Sequence, residues 1–350
     1  MPSLDPPGGV IPETPAELTP TWLAAILTRH GFSAAVQSIE LRPVAGALTS
    51  EVLRVIPRMQ DETTGFAPPL VWKRSLDDAT QRKPLKASYA AEVNFYRDVA
   101  PTLGVSVPRC FVAAYDDKSG AHALLLEDLA PGSAGDLQAG VSILEAESVV
   151  RELARLHAHR WRPIGPQHPP ESFSDAPGLI ERWASVGATF LEQHLDSNVT
   201  ERTSRYVANV ADQLSSLSAG PETFVHGDPH PANVIFPTAE GRRPHLIDWQ
   251  GSGSGAALRD ISRFLVLGLS PDERRTHEDG LLDVYVEELD SRGVKTDSAA
   301  IAQNYRTAAQ LQWGWAVLFF RFESLWDSDI RATFPVLAQR AAAAFDDLSR

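Results

Sequence analysis

The stretch VHGDPHPANVIF, at residues 225–236, constrains the fold more than any other part of the chain. It sets His226, Asp228 and Asn233 in an H-x-D-x-x-x-x-N spacing, with apolar residues on both sides. A second carboxylate, Asp248, follows in Leu-Ile-Asp-Trp-Gln. Two short strands that bring a carboxylate, an amide and another carboxylate together form a site of hard oxygen ligands. Such a site can orient a hydroxyl group and hold Mg²⁺ against the phosphates of a nucleotide.

The length and charge of the chain limit its partners. With 350 residues, the chain is long enough for two lobes or domains around one cleft. No apolar run is long enough to cross a bilayer. The formal net charge of −13 argues against nucleic acid as the main partner. The same balance is compatible with a cationic substrate, but it is also typical of acidic proteomes.

Cysteine content and the first residues bear on location. Cys110 is the only cysteine, so no internal disulfide is possible and a reducing cytoplasm fits. Residues 1–17 lack the basic and apolar parts of a signal peptide and are predicted to be a flexible leader. We therefore predict a cytoplasmic protein with neither a membrane nor a nucleic-acid partner. No sequence pattern specifies its oligomeric state.

The part of the chain after the leader has the pattern of a small antiparallel sheet. Apolar stretches separated by Gly, Pro and polar turns predict strands at 36–41, 52–56, 70–73, 110–115 and 123–126. One helix is predicted to open at Thr19 or Thr21, and a second is predicted at residues 85–99. Residues 18–128 are thus predicted to form an N-terminal, nucleotide-binding lobe on a five-stranded antiparallel sheet.

The pattern changes at Glu127-Asp128-Leu129-Ala130-Pro131-Gly132, where we predict a hinge. Helices are predicted at about 143–160, 178–195, 199–217, 256–268, 276–292, 298–325 and 332–348. The strands that carry the catalytic and metal motifs interrupt this helical region of residues 129–350. A small β-rich lobe, a hinge and a helical lobe form the architecture of a kinase. The predicted fold class is therefore α+β, protein-kinase-like and two-lobed.

Asp228 is the candidate catalytic base. Phosphoryl transfer needs an oriented acceptor hydroxyl, metal ions on the phosphates and a cation near the phosphate oxygens. Asp228 would accept a hydrogen bond from the hydroxyl and take its proton late. An ordinary turn aspartate before a proline is the alternative. His226 would orient the loop through hydrogen bonds, and a buried structural histidine is an equal alternative.

Asn233 and Asp248 are the candidate metal ligands. Asn233 would give its amide oxygen to one Mg²⁺, and its alternative is an Asx-turn. Asp248 ends an apolar strand, where a buried carboxylate is costly without a cation, so it is the candidate bridging ligand. An exposed aspartate at a strand end is the alternative.

Lys73 ends the apolar stretch Leu-Val-Trp and would reach the α- and β-phosphates of a nucleotide. Glu92, on the following helix, would pair with it, with Glu51 as a competitor and a solvated helix face as the alternative. Gly46 lies in a turn between the first two strands whose backbone N–H groups could cover the phosphates. That turn has a single glycine and lacks G-x-G-x-x-G, so alone it is a weak signal.

Other polar and aromatic residues have less specific patterns. Asp260 opens a helix, where it would bond the catalytic loop or simply stabilise the helix N-terminus. His157 and His159 are too close in sequence to share a helix face, so His157 is predicted to be structural. An aromatic group on the long late helix is predicted to be mostly core, and three acidic residues at its end are candidates to line an acceptor pocket. These acidic residues are Glu323, Asp327 and Asp329.

These motifs give the chain a family resemblance. It resembles the aminoglycoside phosphotransferase and choline-kinase-like superfamily, which comprises small-molecule relatives of protein kinases. The matching segments run in family order over about 40–265. They are VHGDPHPANVIF, LIDWQGSGSG, VWK at Lys73, AAEVNFY at Glu92, LLLEDL at the hinge and LARLHA at His157. Several segments outside these motifs look more like the ecdysteroid-kinase-like branch.

The resemblance implies an enzyme that uses ATP (or GTP) and Mg²⁺ to phosphorylate a hydroxylated small molecule. By position it implies Asp228 as the base, Asn233 and Asp248 as metal ligands, and Lys73 with Glu92 as the phosphate-anchoring pair. The hinge backbone from Glu127 to Leu129 would bind the adenine edge. Trp249-Gln250 stands where protein kinases have Phe-Gly, so a regulatory flip of that segment is not implied.

Three hypotheses follow for function. The first is a small-molecule kinase whose acceptor is an aminoglycoside, another antibiotic, or a steroid-like, choline-like or hydroxyacyl alcohol. A protein kinase is disfavoured because the glycine-rich loop and an Ala-Pro-Glu segment are missing. A nucleotide-binding pseudokinase is disfavoured because a protein that only binds has no need of Asp228.

Overall fold

The computed structural model describes residues 2–32, 35–44, 49–60, 67–162, 176–195, 198–239 and 241–349. Gly46, the predicted phosphate-loop residue, lies outside these described residues. The chain divides into two compact units. Unit 1 contains residues 1–133, 237–240 and 245–252, and unit 2 contains residues 134–236, 241–244 and 253–350.

Unit 1 is built on the predicted five-stranded antiparallel sheet, which the structure confirms. Its strands are β1 (Val36–Pro43), β2 (Glu51–Met59), β3 (Leu70–Arg74), β4 (Cys110–Tyr115) and β5 (His122–Glu127), in the spatial order β1-β2-β3-β5-β4. Lys73 of β3 lies opposite Val52 of β2 and Leu124 of β5. Because opposed residues share a face of the sheet, these three side chains project from one face.

The other face of the sheet forms the apolar core of unit 1. Trp72, the neighbour of Lys73, is fully buried there together with side chains of α1 (Pro20–Arg29). Burial of each large apolar side chain contributes about 1.5–3 kcal/mol. Thr19 caps α1 as predicted, because its hydroxyl accepts a hydrogen bond from the Trp22 N–H at 3.2 Å. The alternation along β3 therefore buries Trp72 in the core and assigns Lys73 to the opposite face.

Residues 2–17, which we predicted to be a flexible leader, make several contacts within unit 1. The Ala113 N–H donates to the Leu4 carbonyl at 3.0 Å. Asp5 forms an ion pair with Arg97, and its carboxylate also accepts from Ser3. These contacts depend on single charged and backbone groups, so no periodic sequence pattern announces them.

The helical segment before β4 differs from the single helix predicted at 85–99. It contains α2 (Ala79–Arg82), α3 (Lys86–Asn94) and a π-helical turn at Phe95–Val99. A π turn adds one residue per turn and rotates the side chains that follow. Phe95 and Tyr96 are buried in it, and Glu92 of α3 is buried as well.

Unit 2 is mainly helical, as predicted. Its helices are α4 (Ile143–Ala158), α5 (Ala176–His194), α6 (Val199–Ser218), α7 (Ala257–Gly268), α8 (Pro271–Ser291), α9 (Ser298–Leu318) and α10 (Ser328–Leu348). Short strands also occur within the described ranges, at β6 (Ser133–Ala134), β7 (Glu222–Val225), β8 (Val234–Phe236), β9 (His245–Leu246) and β10 (Gly253–Ala256). Strand β7 pairs antiparallel with β10 and leads directly into the loop at His226. The sheet and the helical remainder confirm the α+β class.

The length and apolar character of the helices bear on whether the chain could cross a membrane. Across the described ranges, none of the helices has the length and apolar character needed to span a membrane.

Candidate active site

Three charged side chains meet in unit 1. Lys73 Nζ donates hydrogen bonds to Glu92 Oε1 and to Asp248 Oδ1, each at 2.8 Å. The side chains of Lys73 and Glu92 are 9% and 1% exposed, whereas that of Asp248 is 38% exposed. The structure therefore makes Glu92 the partner of Lys73. Glu51, the competing candidate, contacts Arg74 instead.

One ammonium group serves two carboxylates in this trio. Burial alone would lower the pKa of Lys73, but Asp248 and Glu92 raise it above its ordinary value. Burial raises the pKa of Glu92, because an ammonium shared with Asp248 cannot offset both negative charges. Lys73 is therefore charged at neutral pH. Because two carboxylates share this one ammonium group, the three side chains together favour the binding of an additional cation.

The backbone of Asp248 is strained. Its φ of 62° and ψ of 72° lie in the left-handed region, and no other non-glycine residue in the described part of the chain has a positive φ. Such a conformation costs about 1–3 kcal/mol and persists only where neighbours fix it. Trp249 provides this support, because its buried ring stacks on Phe95 at 3.7 Å with an interplanar angle of 7°. Its Nε1 also donates to the Leu246 carbonyl at 3.2 Å.

In unit 2, the loop after β7 is held in place by hydrogen bonds that its backbone N–H groups donate to side chains. The N–H groups of His226 and Gly227 donate to the Asp260 carboxylate at 2.7 and 3.0 Å. The Asp228 N–H donates to His226 Nδ1 at 3.3 Å. Asn233 Nδ2 donates to the Asp228 carbonyl at 2.9 Å, which leaves its amide oxygen as the atom for a metal. The structure thus brings His226, Asp228 and Asn233 together in one loop.

Arg263, which the sequence analysis did not single out, contacts the candidate base. Its Nε and Nη2 donate to Asp228 Oδ1 at 2.9 and 2.7 Å. Burial alone would raise the pKa of Asp228, but Arg263 outweighs it and lowers that pKa to about 2. His230 Nε2 is 3.7 Å from Asp228 Oδ2. A signal existed in the sequence, because Arg263 lies three residues after Asp260 on α7 and such residues share a helix face.

Asp260 and His157 form the support beneath this loop. His157 contacts Tyr285 Oη through Nδ1 at 2.8 Å and Asp260 Oδ2 through Nε2 at 3.2 Å. Burial alone would raise the pKa of Asp260, but His157 and then His226 lower it below its ordinary value. The predicted bond from Asp260 to the catalytic loop is confirmed, and His157 has the structural position predicted for it.

Asp260→Asn is expected to reduce the free energy of unfolding by about 1–3 kcal/mol, because an amide cannot accept all the bonds that the carboxylate receives. Urea denaturation measures this loss, and Asp272→Asn is the control, since the Asp272 side chain is 94% exposed. The folded-state pKa of Asp260 is depressed, so its contribution is complete above the ordinary value of 3.8 and disappears as pH falls through the folded-state pKa. Equal stability of the two variants at pH 7 would contradict this role.

The predicted adenine-binding segment follows β5. The Glu127 N–H donates to the Arg109 carbonyl at 2.8 Å, and the Leu129 carbonyl accepts from the Gly132 N–H at 2.9 Å. Asp128, between them, is fixed by Arg54, whose Nε donates to its carboxylate at 2.5 Å. The segment thus has a defined backbone course, as a hydrogen-bonding edge for a base requires.

The donor chemistry of these residues fits Mg²⁺. Mg²⁺ prefers oxygen ligands and is commonly held by one or two carboxylates together with substrate phosphates. Asp248 offers a partly exposed carboxylate and Asn233 an amide oxygen. Within the described ranges, no group of three or more His, Cys, Asp or Glu side chains is placed to hold a metal by itself. Each residue, within its own unit, therefore offers the kind of oxygen donor that Mg²⁺ binds together with phosphate ligands.

Residues 52–293 match the model of the phosphotransferase enzyme family. This match covers more than half of the chain. The chain belongs to the phosphotransferase enzyme family. Comparison of this phosphotransferase with curated protein sequences found no significant match.

Solved structures share the fold of this phosphotransferase. The microcompartment-associated aminopropanol kinase is 16% identical with a TM-score of 0.55, covering 94% of this chain and 96% of that one. A putative aminoglycoside phosphotransferase from Ralstonia eutropha JMP134 is 14% identical with a TM-score of 0.52, over 93% and 97%. Choline kinase LicA from Streptococcus pneumoniae is 14% identical with a TM-score of 0.52, over 93% and 98%. The family match confirms the predicted superfamily, and these structures confirm its kinase-like fold, while the ecdysteroid-kinase-like branch stays a prediction.

Proposed function

We propose that this phosphotransferase moves the γ-phosphoryl group of ATP (or GTP) to a hydroxyl group of a small molecule, in the presence of Mg²⁺. The observation that carries the proposal is the buried Lys73–Glu92 pair, with Asp248 bonded to the same ammonium at 2.8 Å. Isolating these charges from water costs free energy. The buried ion pair is therefore weak evidence that these residues serve to stabilise the fold. Binding of a polyphosphate with its cation would give each group a role: Lys73 would contact the phosphates, Glu92 would orient Lys73, and Asp248 would bind the cation.

Lys73 is the proposed contact for the α- and β-phosphate oxygens, and Glu92 fixes its direction. Asp248 and Asn233 are the proposed ligands of Mg²⁺, which when bound offsets negative charge on the phosphates. The backbone from Glu127 to Leu129 is proposed to bind the edge of the base.

Asp228 is the proposed partner of the acceptor hydroxyl. Arg263 binds Asp228 Oδ1 twice, so Oδ2 is the oxygen left to accept the hydroxyl proton. A carboxylate with a pKa of about 2 is a weak base at neutral pH. Asp228 therefore mainly positions the hydroxyl and takes its proton late, when bond formation has made the hydroxyl more acidic. His226 supports this position through its bond from the Asp228 N–H.

The acceptor is proposed to be a hydroxylated small molecule, and the family admits both antibiotics and other alcohols. The structural neighbours include an aminopropanol kinase and a choline kinase, as well as a protein described as a putative aminoglycoside phosphotransferase. We also propose a cytoplasmic location, which a chain with the single cysteine Cys110 suits.

The proposal is tested by incubating the protein with Mg²⁺, ATP or GTP, and a panel of hydroxylated compounds. The panel includes kanamycin, erythromycin, choline, a sterol and several hydroxy acids. Mass spectrometry should detect one added phosphoryl group on at least one compound. If no compound gains a phosphoryl group although the nucleotide binds, the proposal is wrong.

Asp248→Asn is expected to remove most of the Mg²⁺-dependent part of ATP binding, because it replaces a charged oxygen ligand by a neutral one. The melting temperature with ATP, measured with Mg²⁺ and with EDTA, reports this difference. Asp272→Asn, which changes an exposed carboxylate in the same way, should keep the Mg²⁺ effect of the wild type. An undiminished Mg²⁺ effect in Asp248→Asn would show that Asp248 is not a ligand.

A further inference from the structure

The guanidinium of Arg263 lies between the candidate base and an aromatic ring. Beyond its two bonds to Asp228 Oδ1, Arg263 Nη1 donates to Gln312 Oε1 at 3.2 Å. Gln312 is held in turn by bonds from its Nε2 to Ser262 Oγ at 3.2 Å and to the Ala308 carbonyl at 3.3 Å. The side chain of Arg263 is only 13% exposed. Arg263 is thus a positive charge held in one position beside Asp228.

The face of Trp315 is already occupied by a cation. The Arg263 guanidinium lies over the ring of Trp315, 4.3 Å from its centroid. Aromatic faces bind ammonium groups because their π-electrons attract positive charge. A ring that already carries a guanidinium has little attraction left for another cation, which the guanidinium also repels.

The neighbouring aromatic rings stack on one another. Phe319 stacks on Phe334 at 5.3 Å and 16°, and on Trp326 at 5.5 Å and 27°. Trp315 and Phe319 lie 5.3 Å apart, and both remain partly exposed. Among the described side chains, the group therefore offers apolar surface next to Arg263 and no open cage for an ammonium group.

The acidic residues predicted to line an acceptor pocket have other contacts. Glu323 forms an ion pair with Arg331 at 3.4 Å. The Asp327 carboxylate caps α10 by accepting the N–H groups of Asp329 and Ile330 at 3.0 and 2.9 Å. Asp228 Oδ1 already accepts two hydrogen bonds from Arg263. Asp329 Oδ1 accepts a hydrogen bond from the Ser328 hydroxyl at 3.4 Å. The carboxylates of Glu323 and Asp327 therefore already have partners within the protein.

We propose that the acceptor is an alcohol without an ammonium group, and that Arg263 excludes cationic acceptors while Trp315 and Phe319 contact the apolar part of the molecule. The class comprises neutral alcohols and hydroxy acids. This inference rests on the proposed function, since it names the acceptor of the same reaction. Polycationic aminoglycosides and choline fall outside the class.

Acceptors that differ only in charge test the inference. Choline and its neutral isostere 3,3-dimethylbutan-1-ol have the same shape, and 4-hydroxybutanoate adds a negative charge. The full-length protein is assayed with Mg-ATP and each compound, alongside kanamycin, by mass spectrometry of the phosphorylated product. We expect kcat/KM for the isostere or the hydroxy acid to exceed that for choline at least about ten-fold, since like charges brought together cost 1.4 kcal/mol or more.

Variants locate the effect at Arg263. Arg263→Gln should raise kcat/KM for choline relative to the isostere about ten-fold, mainly through KM, because the repelling charge is gone. Arg263→Lys should keep the preference. Arg205→Gln is the matched control, since the Arg205 guanidinium also lies over an aromatic ring, that of Phe345 at 5.3 Å, but its side chain is exposed. It should leave the preference unchanged.

The outcomes separate this inference from the proposed function. Phosphorylation of choline or kanamycin as efficient as that of the uncharged compounds would overturn the inference and leave the proposed function intact. An unchanged preference in Arg263→Gln would overturn the assignment to Arg263. Absence of phosphoryl transfer to every compound would overturn both.

Discussion

Asp228→Asn is expected to lower kcat by about 10²- to 10⁴-fold, the range that a positioned proton acceptor contributes. Asparagine keeps the size of the side chain but loses the charge that accepts the hydroxyl proton. The affinity for Mg-ATP should stay near that of the wild type, because Lys73 and Asp248 bind the nucleotide in this account. Steady-state kinetics with the best acceptor and calorimetric titration with ATP measure the two quantities.

The partner of Asp228 requires a separate control. Arg263 loses its ion pair in Asp228→Asn, and its side chain is only 13% exposed. A drop in melting temperature alone would therefore mimic a loss of activity at assay temperature. The assay is run well below the melting temperature of the variant, and Asp272→Asn sets the effect of an exposed substitution. Turnover within a factor of a few of the wild type would show that Asp228 is not the base.

Lys73→Met is expected to reduce both stability and activity. Removal of one partner from a buried ion pair costs about 3–5 kcal/mol, because the charge left behind has no compensation. Glu92, at 1% exposure, would be that charge. Loss of a fixed cation at the phosphates should also lower kcat by about 10²- to 10³-fold, the usual effect of removing one such electrostatic contact.

The double variant Lys73→Met with Glu92→Gln separates the two effects. Neutralising Glu92 removes the uncompensated charge, so urea denaturation should show that part of the lost stability returns. Activity should remain low, since the phosphate contact is still missing. Recovery of turnover together with stability would mean that Lys73 has only a structural role.

Much of this arrangement could be predicted from the sequence because it depends on local patterns. The alternation in Leu-Val-Trp-Lys buries Trp72 and assigns Lys73 to the other face of the sheet. Glu92, on the helix that follows this strand, was predicted as the partner of Lys73 with Glu51 as a competitor, and Lys73 Nζ donates to Glu92 at 2.8 Å. The spacing of Asp228 and Asn233 within one short loop likewise required no knowledge of distant residues.

Helix ends were predicted less well, for reasons that are clear afterwards. Helix α8 begins at Pro271 and not at 276, because Ser270 and Glu273 form a reciprocal capping box. That signal is present in Ser-Pro-Asp-Glu. Helix α9 ends at Leu318, earlier than the predicted 325, and continues as a 3₁₀ turn over Phe319–Leu325. Phe319 and Phe320 of that turn pack on Trp326 and Phe334, which helical periodicity alone cannot show.

Two features of the site depend on contacts between distant residues and had weak or no sequence signals. The left-handed backbone of Asp248 is held by the stacking of Trp249 on Phe95, more than a hundred residues earlier in the chain. The bond from Arg263 to Asp228 joins a helix to a loop. Its only signal was the three-residue spacing from Asp260, which is common on helices. Such pairs become visible only when the folded chain brings them together.

Transfer of an isotopically labelled phosphoryl group tests the central claim most directly. ATP carrying ¹⁸O in its γ-phosphoryl group is incubated with Mg²⁺, the protein and the acceptor, and the product is analysed by mass spectrometry. The account predicts labelled phosphoryl on the acceptor hydroxyl with the wild type, and almost none with Asp228→Asn or Lys73→Met. Label found only in inorganic phosphate, or equal transfer by the wild type and both variants, would contradict it.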